Sequence, residues 1–241
     1  MYNLLISFAF YIAAAVALNM FADLPVWGAA LLGTIAFILV YFLLSRVVMK
    51  KVGVIMETAQ KDVMAGRVDK AVKELKDAFR FTPWQIYVKG QLNAQIGMLL
   101  YLKRDFNEAF TYLQKGFVRH WVAMGMLGIC YMKRQKIDKM IETFDKGTAA
   151  SRKEPMLWNL YAYCLDKVGQ PAKAIAAMEK GVKKVGGHEL LESNLVLLKE
   201  GKKMKMLDWG DLWYQFHLES QGTLVKQQTK AMQGRRKIVR K

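Results

Sequence analysis

Proline and cysteine are scarce in this 241-residue chain, which contains four prolines and two cysteines. Few prolines leave long helices uninterrupted, because a proline inside a helix removes a hydrogen bond and clashes with the preceding turn. Cys130 and Cys164 are too few for a disulfide framework, so we interpret them as reduced, buried thiols in a reducing compartment. Alternation of apolar and polar residues, the pattern of a half-buried strand, is also rare. These absences favour an all-α protein.

Side chains that do chemistry are equally few. The three histidines, His120, His188 and His217, are scattered, and none has a cysteine or carboxylate at metal-ligand spacing. The chain also lacks a glycine-rich phosphate loop of the Walker type, and no serine, histidine and aspartate arrangement follows from spacing. We therefore expect a protein that is not an enzyme and that holds no cofactor and no metal.

Acidic residues are outnumbered, 20 against 37 lysines and arginines, so the formal net charge is +17. Such an excess favours anionic partners, either phospholipid headgroups or nucleic acid. Residues 220–241 have seven basic residues, no acidic one and no apolar period, which predicts a disordered tail. We expect this tail to contact the anionic membrane surface, with RNA or ribosome contact and a merely solvated terminus as alternatives. The candidate contact residues are Arg235, Arg236, Lys237, Arg240 and Lys241.

Long uncharged runs occur only near the N-terminus, at residues 4–18 and 26–44. A helix of 19 residues spans about 28 Å, close to the hydrocarbon core of a bilayer, which is about 30 Å thick. We predict a transmembrane hairpin over residues 1–45, with spans at about 3–22 and 25–44. A re-entrant or interfacial first segment is the alternative. A signal peptide fits less well, because no basic residue precedes the first run and no convincing cleavage site follows it.

Charge predicts the orientation of this hairpin. Arg46, Lys50 and Lys51 follow the second run, whereas the turn between the runs has only Asp23. Because basic flanks stay in the cytoplasm, we expect both chain ends and everything after residue 45 on the cytoplasmic side of a bacterial inner membrane.

A repeat follows the hairpin. Several residues recur after 34 positions, namely Gly128 and Ala162, Cys130 and Cys164, Met140 and Ala174, and Gly147 and Gly181. Four units can be aligned, at 52–85, 90–123, 121–154 and 155–188, and small residues recur in them at Gly97, Gly128 and Ala162. The second and third units overlap, so their connecting loops must vary in length.

A 34-residue unit with two helices resembles the tetratricopeptide (TPR) family. The resemblance rests on residues such as Trp158, Ala162 and Gly181 in the last unit, and Ala71, Ala78 and Pro83 in the first. It implies an α-solenoid of about four repeats over residues 52–203. With the hairpin predicted from the uncharged runs, the expected fold is all-α, a membrane hairpin followed by this solenoid. The apolar stretch at residues 188–203 resembles the helix that caps such solenoids.

The TPR resemblance also implies a binding surface, formed by the first helix of each unit. This predicted groove is rich in methionine, whose flexible side chain suits an adaptable apolar surface for a peptide or amphipathic helix. Burial of the same side chains between helices is the alternative for each of them. The predicted groove consists of Met56, Gln60, Met64, Gln91, Met98, Tyr101, Ile129, Met132, Asn159 and Tyr163.

Aromatic residues cluster in residues 204–219, which we call the C-terminal segment. Trp209, Trp213 and Phe216 fall on one face if residues 206–219 form a helix. Three interpretations stay open: this face packs back on the solenoid, anchors a partner protein, or lies in the membrane interface.

Together these features predict a non-enzymatic scaffold that holds a protein partner, such as another membrane protein, at the inner membrane. The architecture is similar to accessory subunits of envelope assembly, secretion or exopolysaccharide export machines, an analogy that does not establish the function. A tether for RNA or ribosomes, acting through the basic tail, is the alternative.

Overall fold

The computed structural model describes residues 1–219 and 222. The described residues are all-helical, which confirms the predicted fold class. Two short 3-10 helices, Ala78–Phe81 and Met206–Trp209, accompany the α-helices. The α-helices in chain order are α1 (Tyr2–Phe21), α2 (Val26–Met64), α3 (Val68–Asp77), α4 (Val88–Leu102), α5 (Phe106–Leu113), α6 (Trp121–Lys133), α7 (Ile137–Ala150), α8 (Pro155–Lys167), α9 (Pro171–Val185), α10 (Glu189–Lys199) and α11 (Asp211–Tyr214).

The chain divides into two compact units, the first spanning Met1–Ala123 and the second beginning at Met124. In the first unit, α1 packs along the first part of α2. Both helices are long and apolar enough to cross a membrane, as judged by length and composition. Gly33 lets the two helices approach, because a Cβ there would lie 3.1 Å from the ring of Tyr11.

Helix α2 extends far beyond its apolar part. Its 39 residues span about 58 Å, roughly twice the thickness of a hydrocarbon core. The apolar stretch and the first helix of the first repeat are therefore one continuous helix. It runs unbroken through residues 45–52, between the predicted hairpin and the predicted solenoid.

Two helical hairpins complete the first unit, the end of α2 with α3 and α4 with α5. The turn between α2 and α3 is held by Asp62, whose carboxylate binds Arg67 at 2.6 Å and Lys70 at 3.0 Å. In the second hairpin, a Cβ on Gly97 would lie 2.8 Å from Leu113 Cγ, so the glycine allows α4 and α5 to pack closely.

The second unit holds two more hairpins, α6 with α7 and α8 with α9, followed by α10. A Cβ on Gly128 would lie 2.4 Å from the ring of Phe144, and one on Gly181 would lie 2.7 Å from Trp158. Ala162 is fully buried. The prediction that Gly97 and Gly128 face a neighbouring helix is confirmed, and Ala162 points away from water.

Helix α10 packs on α9 and α8, as a capping helix would. Leu191 and Leu198 are buried against the repeats, whereas Val196 is 54% exposed. Within each unit, consecutive hairpins pack side by side, as in an α-solenoid of the TPR type.

Candidate protein-binding surfaces

The part of the predicted groove that lies in the first unit is partly open. On α2, Gln60 is exposed, Met64 is 78% exposed and Met56 is half-buried. On α4, Gln91 and Met98 are half-buried. These five side chains remain accessible to a partner, and their binding role stays a prediction.

Three residues of the predicted groove are fully buried, and the prediction that they form a surface is wrong. Tyr101 packs edge-on against Phe106, with the ring centroids 5.0 Å apart. Ile129 and Asn159 are also without exposed surface. The alternative of burial between helices therefore applies to these positions, while Met132 and Tyr163 are half-buried.

The C-terminal segment covers the first helices of both hairpins in the second unit. Phe216 lies over α6, where a Cβ on Gly125 would be 3.2 Å from its ring. Trp213 meets Tyr163 of α8 edge-on at 4.8 Å, and its Nε1 donates a 2.9 Å hydrogen bond to Glu219. In this unit, the chain itself therefore covers part of the surface predicted to bind a partner.

The aromatic residues of this segment do not form the predicted helical face. Gly210, with a φ of 57°, separates the 3-10 helix Met206–Trp209 from the single-turn helix α11. Trp213 and Phe216 are fully buried and Trp209 is 7% exposed. Of the three interpretations, packing back on the repeats describes the structure, and these side chains are not exposed for a partner.

A network of buried amides fixes the start of the same segment. Asn194 of α10 donates a 3.1 Å hydrogen bond to Asn159 Oδ1 of α8, and its own Oδ1 accepts one of 2.7 Å from the Lys205 backbone N–H. Asn159 Nδ2 in turn lies 3.0 Å from Met206 Sδ. The TPR resemblance placed Asn159 in the predicted groove, but no local signal links it to Asn194, 35 residues later.

Both cysteines are buried and unbridged. Burial raises the pKa of the Cys130 thiol to about 11 and also raises the pKa of Cys164 above its ordinary value. Because the thiolate is the reactive form of cysteine, these residues act as packing groups.

A concave surface that the sequence did not reveal lies between α7 and α9. We call it the α7–α9 groove; its volume is about 520 Å³. Its floor includes the edges of Trp158 and Tyr161, both under a tenth exposed. Apolar side chains and four cations line the rest, among them Ile141, Ala149, Ala176, Ala177, Arg152, Lys173, Lys180 and Lys184.

The charge of the α7–α9 groove is strongly positive. Its single carboxylate, Asp145, accepts a 3.1 Å hydrogen bond from the Tyr161 hydroxyl. Burial, reinforced by this carboxylate, raises the pKa of Tyr161, so the hydroxyl stays protonated and donating at neutral pH. The groove therefore attracts acidic groups, while its floor offers apolar contact.

The residues described by the structure hold no group of three or more histidine, cysteine, aspartate or glutamate side chains that could bind a metal. The predicted membrane-contact residues Arg235, Arg236, Lys237, Arg240 and Lys241 lie outside the described residues.

No family model and no curated protein matches this chain. Among solved structures, a crystal structure of MamA protein has 14% identity and a TM-score of 0.45 over 74% of this chain and 91% of that chain. A second crystal structure of MamA has 19% identity and a TM-score of 0.47 over 72% and 96%.

Proposed function

We propose that this protein is a membrane-anchored scaffold without enzymatic activity, whose α7–α9 groove binds an acidic segment of a partner protein. The observation that carries the proposal is the groove itself, about 520 Å³ in volume, with an apolar floor and four cations against one carboxylate. An acidic peptide or amphipathic helix matches both features, because its carboxylates meet the cations while its apolar side chains meet the floor.

The groove favours protein over nucleic acid. Proteins that bind single strands stack bases on exposed aromatic rings. Here Trp158 and Tyr161 are only 7% and 6% exposed, and Trp158 Nε1 is already used in a hydrogen bond to the Arg152 carbonyl. The apolar part of the accessible lining is aliphatic, with alanines and Ile141, which suits a peptide side chain better than a base.

The membrane anchor is proposed from α1 and the first part of α2. Apolar side chains along α2 are exposed in the protein, including Ile35 at 54%, Ile38 at 60% and Phe42 at 61%. Exposed side chains of this kind are stable in lipid, where no water has to be ordered around them. With basic residues after the second span, the repeats would lie in the cytoplasm.

Site-specific photocrosslinking in native membranes tests the proposal. A photoreactive residue replaces Ala176, which is exposed and lines the groove. We expect a protein adduct that the double variant Lys173→Glu/Lys180→Glu abolishes by reversing the charge of the rim.

The matched control is Lys153→Glu/Lys183→Glu, which makes the same charge change at exposed lysines outside the groove. This control should keep the adduct. An adduct sensitive to ribonuclease would favour the tether for RNA instead. An adduct that survives Lys173→Glu/Lys180→Glu would contradict the assignment of the groove.

A further inference from the structure

A second concave surface lies in the first unit, beside α2 and the 3-10 helix that follows α3. Its volume is about 610 Å³, and it is lined by Lys50, Lys51, Val54, Ile55, Arg80 and Phe81. Three cations and three apolar residues thus line it, without a carboxylate. We call it the α2 basic pocket.

The pocket lies just beyond the end of the apolar part of α2. Lys50 is six residues after Leu44, which corresponds to about 9 Å along a helix. The headgroup layer on each side of a bilayer is about 5–8 Å thick. Long lysine side chains can extend towards it while their methylene groups stay on apolar surface. If α2 crosses the membrane as proposed, lipid phosphates lie within reach of the pocket.

The side of the pocket formed by Arg80 and Phe81 lies at the same depth along the proposed membrane anchor. The loop after Phe81 is hydrogen-bonded to the start of α1, because the Tyr2 N–H donates to the Pro83 carbonyl at 2.8 Å. Gln85 Oε1 accepts hydrogen bonds of 3.2 Å from Asn3 of α1 and from Ser45, where the apolar part of α2 ends. Arg80 and Phe81 therefore sit beside the ends of both apolar helices.

Side chains on this loop also suit an interfacial position. Trp84 packs edge-on against Tyr2 at 5.3 Å and is 36% exposed, and Tyr87 is 57% exposed. Tryptophan and tyrosine are enriched where membrane meets water. The loop that follows Arg80 and Phe81 thus has the composition of a segment that contacts headgroups.

We propose that the α2 basic pocket binds the headgroup of an anionic phospholipid, an inference that rests on the proposed membrane anchor. Lys50, Lys51 and Arg80 contact the phosphate, and Val54, Ile55 and Phe81 contact the glycerol and the first acyl carbons. The guanidinium of Arg80, 5.0 Å from the Phe81 ring centroid, is held over that apolar wall. A free phosphate would leave this wall unused, so the phospholipid is the better fit.

Native mass spectrometry of the full chain in mild detergent tests this proposal, with phosphatidylglycerol and zwitterionic phosphatidylcholine as probes. We expect one phosphatidylglycerol per chain to bind at least about tenfold more tightly than phosphatidylcholine, since each cation near an anionic headgroup contributes favourably. The variant Lys50→Gln/Lys51→Gln/Arg80→Gln should lose this preference. The matched control Lys73→Gln/Lys89→Gln/Lys115→Gln, with the same charge change at exposed residues, should keep it.

Three outcomes would overturn the pocket assignment. The wild type could bind phosphatidylglycerol and phosphatidylcholine equally well, both triple variants could lose the preference for phosphatidylglycerol to the same extent, or inorganic phosphate could fully displace the bound lipid. Thermal unfolding of each variant separates loss of binding from loss of structure. Alkaline extraction of membranes tests the anchor separately. A chain that resists extraction but shows no phosphatidylglycerol preference overturns only the pocket, whereas a chain released by extraction overturns the anchor.

Discussion

The ring of Trp213 meets the ring of Tyr163 edge-on, with the centroids 4.8 Å apart. This contact joins the C-terminal segment to α8, on the surface that the TPR resemblance predicted for a partner. Because Trp213 is fully buried there, the segment is part of the folded second unit. The partner surface we propose is therefore the α7–α9 groove, formed by the second helices of the two hairpins.

Replacing Trp213 with alanine should destabilise the second unit by about 3–5 kcal/mol, the usual loss for a large aromatic side chain removed from a core. Denaturant unfolding of the full chain in mild detergent measures this change. The control Leu212→Ala removes a neighbouring side chain that is 46% exposed and should change the free energy of unfolding by less than about 0.5 kcal/mol. Similar losses for both variants would show that the segment is not packed as described.

Replacing two helical glycines with alanine should change the free energy of unfolding in opposite directions. In Gly128→Ala the new Cβ would lie 2.4 Å from the Phe144 ring, which is fully buried, so we expect a loss of about 1–3 kcal/mol from overpacking. In Gly53→Ala nothing lies within 4 Å, so the better helix propensity of alanine should stabilise α2 by about 1 kcal/mol. The same unfolding measurement compares the two, and a stabilising Gly128→Ala would contradict the close packing of α6 and α7.

Removing the Asn194 side chain should leave two groups without their observed partner, the buried Asn159 Oδ1 and the part-buried Lys205 N–H. Each unpaired buried group costs about 1–3 kcal/mol. We expect Asn194→Ala to destabilise the second unit and to expose the C-terminal segment to proteolysis, measured by the rate of cleavage after residue 204. The exposed neighbour Ser193, changed to alanine, should leave the cleavage rate unchanged.

The ion pairs of Asp62 at the α2–α3 turn should make the stability of the fold depend on pH. Hydrogen bonding by Lys70, with Arg67 contributing, lowers the pKa of this carboxyl below its ordinary value. A lowered pKa in the folded state adds stability above the unfolded pKa of about 3.9, and this contribution is lost as the pH falls through the folded pKa. Asp62→Asn should therefore be less stable than the wild type at neutral pH and should match it in strong acid.

Thermal unfolding of the wild type and Asp62→Asn, measured from neutral pH down to about pH 2, tests whether their stabilities become equal in acid. Asp166→Asn, at an exposed position near the end of α8, is the control and should differ little from the wild type across the range. If the wild type and Asp62→Asn kept a constant difference down to strong acid, the ion pairs would not be the cause.

Short-range patterns in the sequence predicted the hairpins well, because a glycine on an apolar helical face usually marks the place where another helix comes close. This pattern predicted the close packing at Gly97 and Gly128. The burial of Cys130 and Cys164 was also predicted correctly. The burial of Tyr101 and Ile129 could not be predicted, since a first-helix position faces either a groove or a neighbour depending on the tertiary packing.

The C-terminal segment shows where sequence periodicity misleads. The spacing of Trp209, Trp213 and Phe216 fits one helix, but Gly210 adopts a positive φ and divides the segment. Each aromatic residue then packs separately; Trp209, for example, stacks on His188 at 5.0 Å. Likewise, Arg46 and Lys50 indicate the end of an apolar span but do not end the helix, because both are good helix formers.

We propose that an N-terminal hairpin anchors the helical repeats to the cytoplasmic face of the inner membrane. Paired topology reporters, one inserted after residue 22 and one fused to the C-terminus, test it most directly. We predict that the reporter after residue 22 is active only outside the cytoplasm and the C-terminal reporter only inside it. A C-terminal reporter that is active outside the cytoplasm would show that the repeats are not held on the cytoplasmic side.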